Sequence, residues 1–251
     1  MDSVPGGGRA PQAFPQTRHS LLLAARSRDP EERRRAFDVL AASYWKPVYK
    51  YLRLRWRAAP EDAEDLTQGF FARAFEKGFF DHFDPARARF RTFLRTCLDA
   101  HAANARAAAR RLKRGGAAVT FSLDFASAEG ELQRQPAAAD TDMEEYFHRE
   151  WVRSVFALAV DALRRQSEAR GRGSAFEVFR RYDLDDADRE ERPTYAALGL
   201  ALGLPATQVT NHLAAMRREF RRLVLESLRE QCASEEEFRA EARALLGIHP
   251  P

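Results

Sequence analysis

Apolar residues along this chain recur at intervals of three and four, and strict alternation is nearly absent, so helices are predicted throughout and strands nowhere. Residues 1–17, with PGGG and further prolines, read as a flexible leader. A first helical block runs over 18–115 and stops at Gly115-Gly116. Residues 116–142 carry little helical pattern and turn acidic toward their end, which reads as a linker. A second block fills 143–231. Residues 232–251 hold one more short helix, opened by Ser234 with Glu237 and closed by Gly247. The expected fold is all-α: two small helical domains joined by a flexible linker, the second ending in a helix-turn-helix.

Three predicted helices carry most of the information. In EDAEDLTQGFFARAFE, residues 61–76, Ala63, Leu66, Phe70, Phe71, Ala74 and Phe75 form the inner face. Pro60 suits the first helical position, and the acids behind it suit the positive end of the dipole. Glu61, Asp65, Gln68 and Glu76 leave an acidic outer face around Ala72. The second helix is predicted over 84–114, about 45 Å if continuous, opened by Asp84-Pro85. Its apolar stripe includes Phe90, Leu94, Cys97, Leu98 and His101, the last read as a core histidine. Arg91, Arg95, Arg106, Arg110 and Lys113 make a basic stripe. A row of that kind suits a phosphate backbone, because each neutralised phosphate releases counterions.

The third lies in TYAALGLALGLPATQVTNHLAAMRREFRRLV, residues 194–223. Tyr195, Leu198, Ala201 and Leu202 form the inside of a short helix, Gly203 permits a turn, and Leu204 fills the corner. A second helix opens at Pro205 or Ala206, with Val209, Leu213, Met216 and Phe220 inside. This is helix-turn-helix spacing. Gln208, Asn211 and His212 project early, where base edges would lie, and Arg217, Arg218, Arg221 and Arg222 follow, where phosphates would be met.

Charge sharpens the picture. The net charge is only +4, but residues 87–114 hold nine basic side chains against one acid, and 122–150 hold eight acids against two basic ones. Segregated blocks fit an anionic partner for some surfaces and a basic partner for others. Cys97 and Cys232 stand alone without a metal-ligand pattern, so a reducing, cytoplasmic setting without disulfide, metal or cofactor is expected. The longest apolar runs fall short of the roughly 18 residues a membrane helix needs. Glu145-x-x-His148 has the spacing of a di-iron bundle, but no second pair accompanies it, so no catalysis is expected.

Taken in order, EDAEDLTQGFFARAF, FDPARARFRTFLRTCLDAHAANARAAARRLKR and YAALGLALGLPATQVTNHLAAMRREFRRL resemble the sigma subunits of bacterial RNA polymerase, in particular the two-domain extracytoplasmic-function class. The resemblance implies a region 2-like domain over 18–115 that docks on the polymerase clamp through Glu61, Glu64, Asp65 and Gln68. It implies that Arg91, Phe93, Arg95, Asn104, Arg106 and Arg110 meet and melt the minus-ten element. Phe93 stands where the family usually has tryptophan, and Ala100 where it often has asparagine. A region 4-like domain over 143–231 would read the minus-thirty-five element through Gln208, Asn211, His212, Arg217, Arg218 and Arg221, although Ala215 replaces a residue that is often basic. Implied partners are core RNA polymerase and promoter DNA, with an anti-sigma factor or other regulator as a further one; the chain is expected to act as a monomer. The rival reading is a stand-alone helix-turn-helix regulator, which has no reason to keep the 61–76 face acidic and flat.

Overall fold

The computed structural model describes residues 21–76, 78–109, 123–134, 141–185 and 192–247. Every regular element among them is helical. A one-turn helix α1 (Leu21–Ala24) precedes α2 (Pro30–Arg55), which is the spine of the molecule. Asp29 caps α2 by accepting from the Glu31 amide, Pro30 takes the first position, and Glu31 and Glu32 complement the dipole. Its apolar residues leave little of its second half exposed: Tyr44, Val48, Tyr49, Tyr51 and Leu52 are all buried. Such burial on most sides requires neighbours all around, and α2 has them.

On one side lie α3 (Pro60–Glu76) and α4 (Phe90–Ala109). Phe70 and Phe71 of α3 are buried, as are Phe90, Leu94 and Leu98 of α4. The predicted start of α4 differs. Asp84 accepts from the Ala86 amide in a turn, and the helix begins only at Phe90. Phe83 and Phe90 both enter the core with ring centroids 5.3 Å apart, so the chain between them folds back instead of rising along a helix axis. The described helix is therefore about 30 Å long. Residues 110–114, including Arg110 and Lys113, lie outside the described residues, as does the leader.

Within the stretch expected to be a linker, residues 125–134 form helix α5 (Phe125–Arg134). Phe125, Ala128 and Leu132 occupy one helical face and are buried, with Phe125 against Trp45 and Tyr49. Glu129 receives Arg53 and the Tyr49 hydroxyl, and Glu131 bridges Lys46 and Lys50 at 2.7 Å each. Gly130 dilutes the helical pattern in the sequence, but the i, i+3, i+7 spacing is there.

The second block opens with α6 (Met143–Ala169), capped by Asp142, and continues into α7 (Gly173–Phe179), which runs on as a wider π turn over Arg180–Asp185. Then come α8 (Tyr195–Leu202), α9 (Ala206–Gln231) and α10 (Glu235–Leu246). The two blocks pack directly on each other. Tyr44 of α2 stacks on Phe147 and Trp151 of α6, and the Trp151 indole donates to Gln231 of α9 at 2.8 Å. Lys50 and Glu150, both about 2% exposed, meet at 2.5 Å. A smaller core, Val178, Leu198, Val209 and Leu213, holds the α7, α8 and α9 segment together.

Breaking a buried ion pair from one side costs more than removing both charges. Lys50→Met alone, which leaves Glu150 buried with only Arg153, is expected to lower unfolding free energy by about 3–5 kcal/mol. Lys50→Met with Glu150→Leu should recover most of that loss in urea denaturation.

Candidate polymerase and nucleic-acid faces

The acidic face of α3 is built from behind. Thr67 is fully buried and its hydroxyl donates to the Ala63 carbonyl at 2.7 Å, and Phe70 and Phe71 meet edge to face at 5.4 Å. Ala72, expected on the outer face, is buried, while Phe75 sits half-buried beside Phe37 and under Arg33. Glu61 and Asp65 are exposed, and Glu64 and Gln68 half-exposed. Among the described residues no ion pair or side-chain hydrogen bond reaches any of the four. In a protein this rich in arginine, a row of unpaired carboxylates on a rigid helix keeps its full field for a basic partner.

The basic stripe of α4 is divided. Arg106 donates to the Trp56 carbonyl, and its guanidinium lies over the Trp56 ring at 4.8 Å. The Trp56 indole donates to Asp99, which also accepts from the Tyr51 hydroxyl, so the single acid of the stripe serves to fix an aromatic platform. Burial and the neighbouring Asp99 carboxylate raise the Tyr51 hydroxyl above its ordinary value. At the other end, Arg95 donates to Glu144 of α6 at 3.1 Å. Arg91 donates to Glu241 of α10 at 2.7 Å and lies over the Trp151 ring. The expected row of free arginines is thus paired at its start, and nothing in the linear pattern of α4 marks which distant acids do the pairing.

Between α3 and α4 opens a cavity of about 330 Å³ lined by Arg73, Phe79, Phe93, Cys97, His101 and Asn104. This brings together Phe93 and Asn104, two of the residues the resemblance assigns to the minus-ten element. His101 lines the same space, so it is not simply a core residue. Burial and the Arg73 charge hold its pKa below the ordinary value, which keeps the ring neutral. Burial pushes the Cys97 thiol up to about 11.

Gln208, Asn211 and His212 lie in the first two turns of α9, the helix that follows the Gly203 turn. Gly203 turns the chain at φ 66°, Thr194 caps α8, and Gly199 packs against the Leu204 carbonyl so closely that an ideal Cβ would stand 2.4 Å from that oxygen. Gln208 and Asn211 are exposed one turn in, and His212 is half-buried. Arg217 is held by Asp183 through two hydrogen bonds at 2.7 and 2.8 Å and lies against Tyr182. Arg222 is tied to Glu219 and Glu226. Arg218 and Arg221 are exposed, and no ion pair reaches them among the described residues. Ala201, expected inside, is exposed, because Gly199 takes the close contact with the turn.

Residues 40–112 match the family model of sigma-70 region 2. That span takes in the second half of α2, all of α3 and α4, and the cavity between them. No curated protein and no solved structure matches the chain. The match supports a sigma factor of the sigma-70 family, a class that acts in transcription initiation with RNA polymerase and catalyses no reaction. No helix among the described residues is long and apolar enough to cross a membrane.

Two outcomes follow from this geometry. Cys97 should alkylate slowly with iodoacetamide at neutral pH, with a rate that reaches half its maximum near pH 11; mass spectrometry over a pH series checks this. Gly199→Ala should lower the melting temperature by several degrees, because the Leu204 carbonyl must move to make room; circular dichroism reads the shift.

Proposed function

We propose that this chain, which carries sigma-70 region 2 over residues 40–112, is a sigma factor of the extracytoplasmic-function class that binds core RNA polymerase and directs promoter recognition and melting. The observation that carries the reading is the α3 face. Glu61, Glu64, Asp65 and Gln68 stand unpaired on a helix stiffened by Phe70 and Phe71, inside the matched segment. They form the surface that docks on the basic clamp helices of the polymerase.

The remaining parts fall into order behind that contact. Arg91, Arg95 and Arg106 hold the backbone of the minus-ten strand as the duplex opens, and Arg110 extends the row by sequence. The cavity beside Phe93 and Asn104 receives an unstacked base, with Phe79 and Phe93 as ring surfaces and the Asn104 amide as a hydrogen-bonding group. In the α8 and α9 pair, Gln208 and Asn211 pair with adenine edges in the major groove of the minus-thirty-five element, each good pair discriminating by about 1–3 kcal/mol. His212 sits beside them. Arg218 and Arg221 grip phosphate, and Arg217 steadies the helix through Asp183 as well as facing the backbone. The expected division into a region 2-like domain over 18–115 and a region 4-like domain over 143–231 belongs to the same proposal, as does action as a monomer in the cytoplasm.

A native-gel titration of the chain against bacterial core polymerase tests the reading. The wild type should bind, and Asp65→Arg with Gln68→Ala should weaken binding by about tenfold or more, equivalent to about 1.4 kcal/mol. A folded wild type that fails to bind overturns the proposal in favour of a stand-alone DNA-binding regulator.

A further inference from the structure

The arginines that would meet the minus-ten strand already hold anions inside the free chain. Arg89 and Arg91 converge on one oxygen of Glu241, each at 2.7 Å, and Arg95 reaches Glu144. Glu241 is 2% exposed, and its two partners lie about 150 positions away in sequence. Two guanidiniums converging on a single oxygen also suit a phosphate oxygen. The carboxylate therefore stands where a nucleic-acid anion would stand.

The helix that supplies it is firmly seated. Phe238 and Ala242 of α10 are buried, Arg229 stacks on the Phe238 ring at 4.2 Å, and Ser234 with Glu237 close a reciprocal cap. Trp151 of α6 covers Arg91 from the other side, leaving only 12% of that side chain exposed. A strand cannot reach Arg91 while α10 and the start of α6 remain in place.

We propose that α10 is a latch: Glu241, aided by Glu144, occupies the anion site that Arg89, Arg91 and Arg95 offer to a phosphate backbone, and this face opens only when α10 and the first turn of α6 leave α4. The proposal rests on the sigma reading for the identity of the strand. The closed form follows from the ion pairs themselves. A polyphosphate strand displaces the carboxylates by engaging several arginines at once, whereas each carboxylate offers a single charge.

The test uses the full chain and a fluorescein-labelled oligo-dT of about 20 nucleotides, read by anisotropy across a salt series. Glu241→Gln with Glu144→Gln keeps the shapes and removes both charges; it should bind about tenfold tighter at low salt, with the log K against log salt slope steeper by about 0.7 per added phosphate. Asp161→Asn with Glu168→Gln removes the same charge around Arg164, away from α4, and should give a much smaller gain. Adding Arg91→Ala and Arg95→Ala to the latch variant should cancel its gain. A latch variant that binds no better than wild type, a control that gains as much, or a gain that survives loss of the arginines overturns the latch.

Hydrogen exchange on the wild type guards against a misfolded variant. Amides of residues 235–246 should lose protection when oligo-dT saturates the chain, and unchanged protection overturns the latch. Core-polymerase binding reads the α3 face instead. Failure there with a positive latch result removes the sigma reading alone, and polymerase binding with a negative latch result removes the latch alone.

Discussion

The packing of α2 against α6 governs this structure. Tyr44 stacked on Trp151 and Lys50 buried against Glu150 join the two blocks of the chain at their least exposed residues. Each element satisfies the other: Glu150 meets Lys50 as its one buried cation among the described residues, and Tyr44, which touches Phe90 edge to face, stacks on both Phe147 and Trp151 of α6. Burial of the ion pair adds directionality that apolar contact lacks, since Lys50 must meet Glu131 of α5 and Glu150 of α6 at once. The positions of α5, α6 and, through Gln231, α9 are thereby coupled to one helix.

That coupling divides the charged surface into two kinds. Glu61, Glu64 and Asp65 of α3 have no ion pair among the described residues. The arginines at the start of α4 face the joint and are taken up by Glu144 and Glu241. Farther along α4, Arg106 is held by the Trp56 carbonyl and ring instead of by an acid, which leaves the two ends of one basic stripe in different electrostatic situations. The α8 and α9 pair shows the same contrast on a smaller scale, with Arg217 held by Asp183 and Arg218 exposed beside it.

Helical periodicity made the all-α class, the inner faces of α3 and α9, the Gly203 turn and the Ser234 cap legible in the sequence, because each depends on residues within one or two turns. What periodicity could not express was long-range. Phe83 and Phe90 share one cluster and so shorten α4 at its start. Phe125, Ala128 and Leu132 make a helix worthwhile only because Trp45 and Tyr49 are there to receive it. The pairing of Arg91 with Glu241 joins positions about 150 residues apart. Phe93 and Asn104 were legible as candidates from their place in a motif, but the cavity that joins them to Phe79 and His101 depends on how α3 leans on α4.

The separation between Lys50 and Glu150 is 100 positions, and it bears on how the protein is made. A ribosome adding about 5–20 residues each second would leave Lys50 and Tyr44 without their α6 partners for about 5–20 s after that helix has emerged. During this interval the nascent chain presents an aromatic, lysine-bearing surface whose native occupant has not yet been synthesised. Until translation delivers α6, the native partners of α2 already made include those of α3 and α4, among them the Phe90 ring against Tyr44.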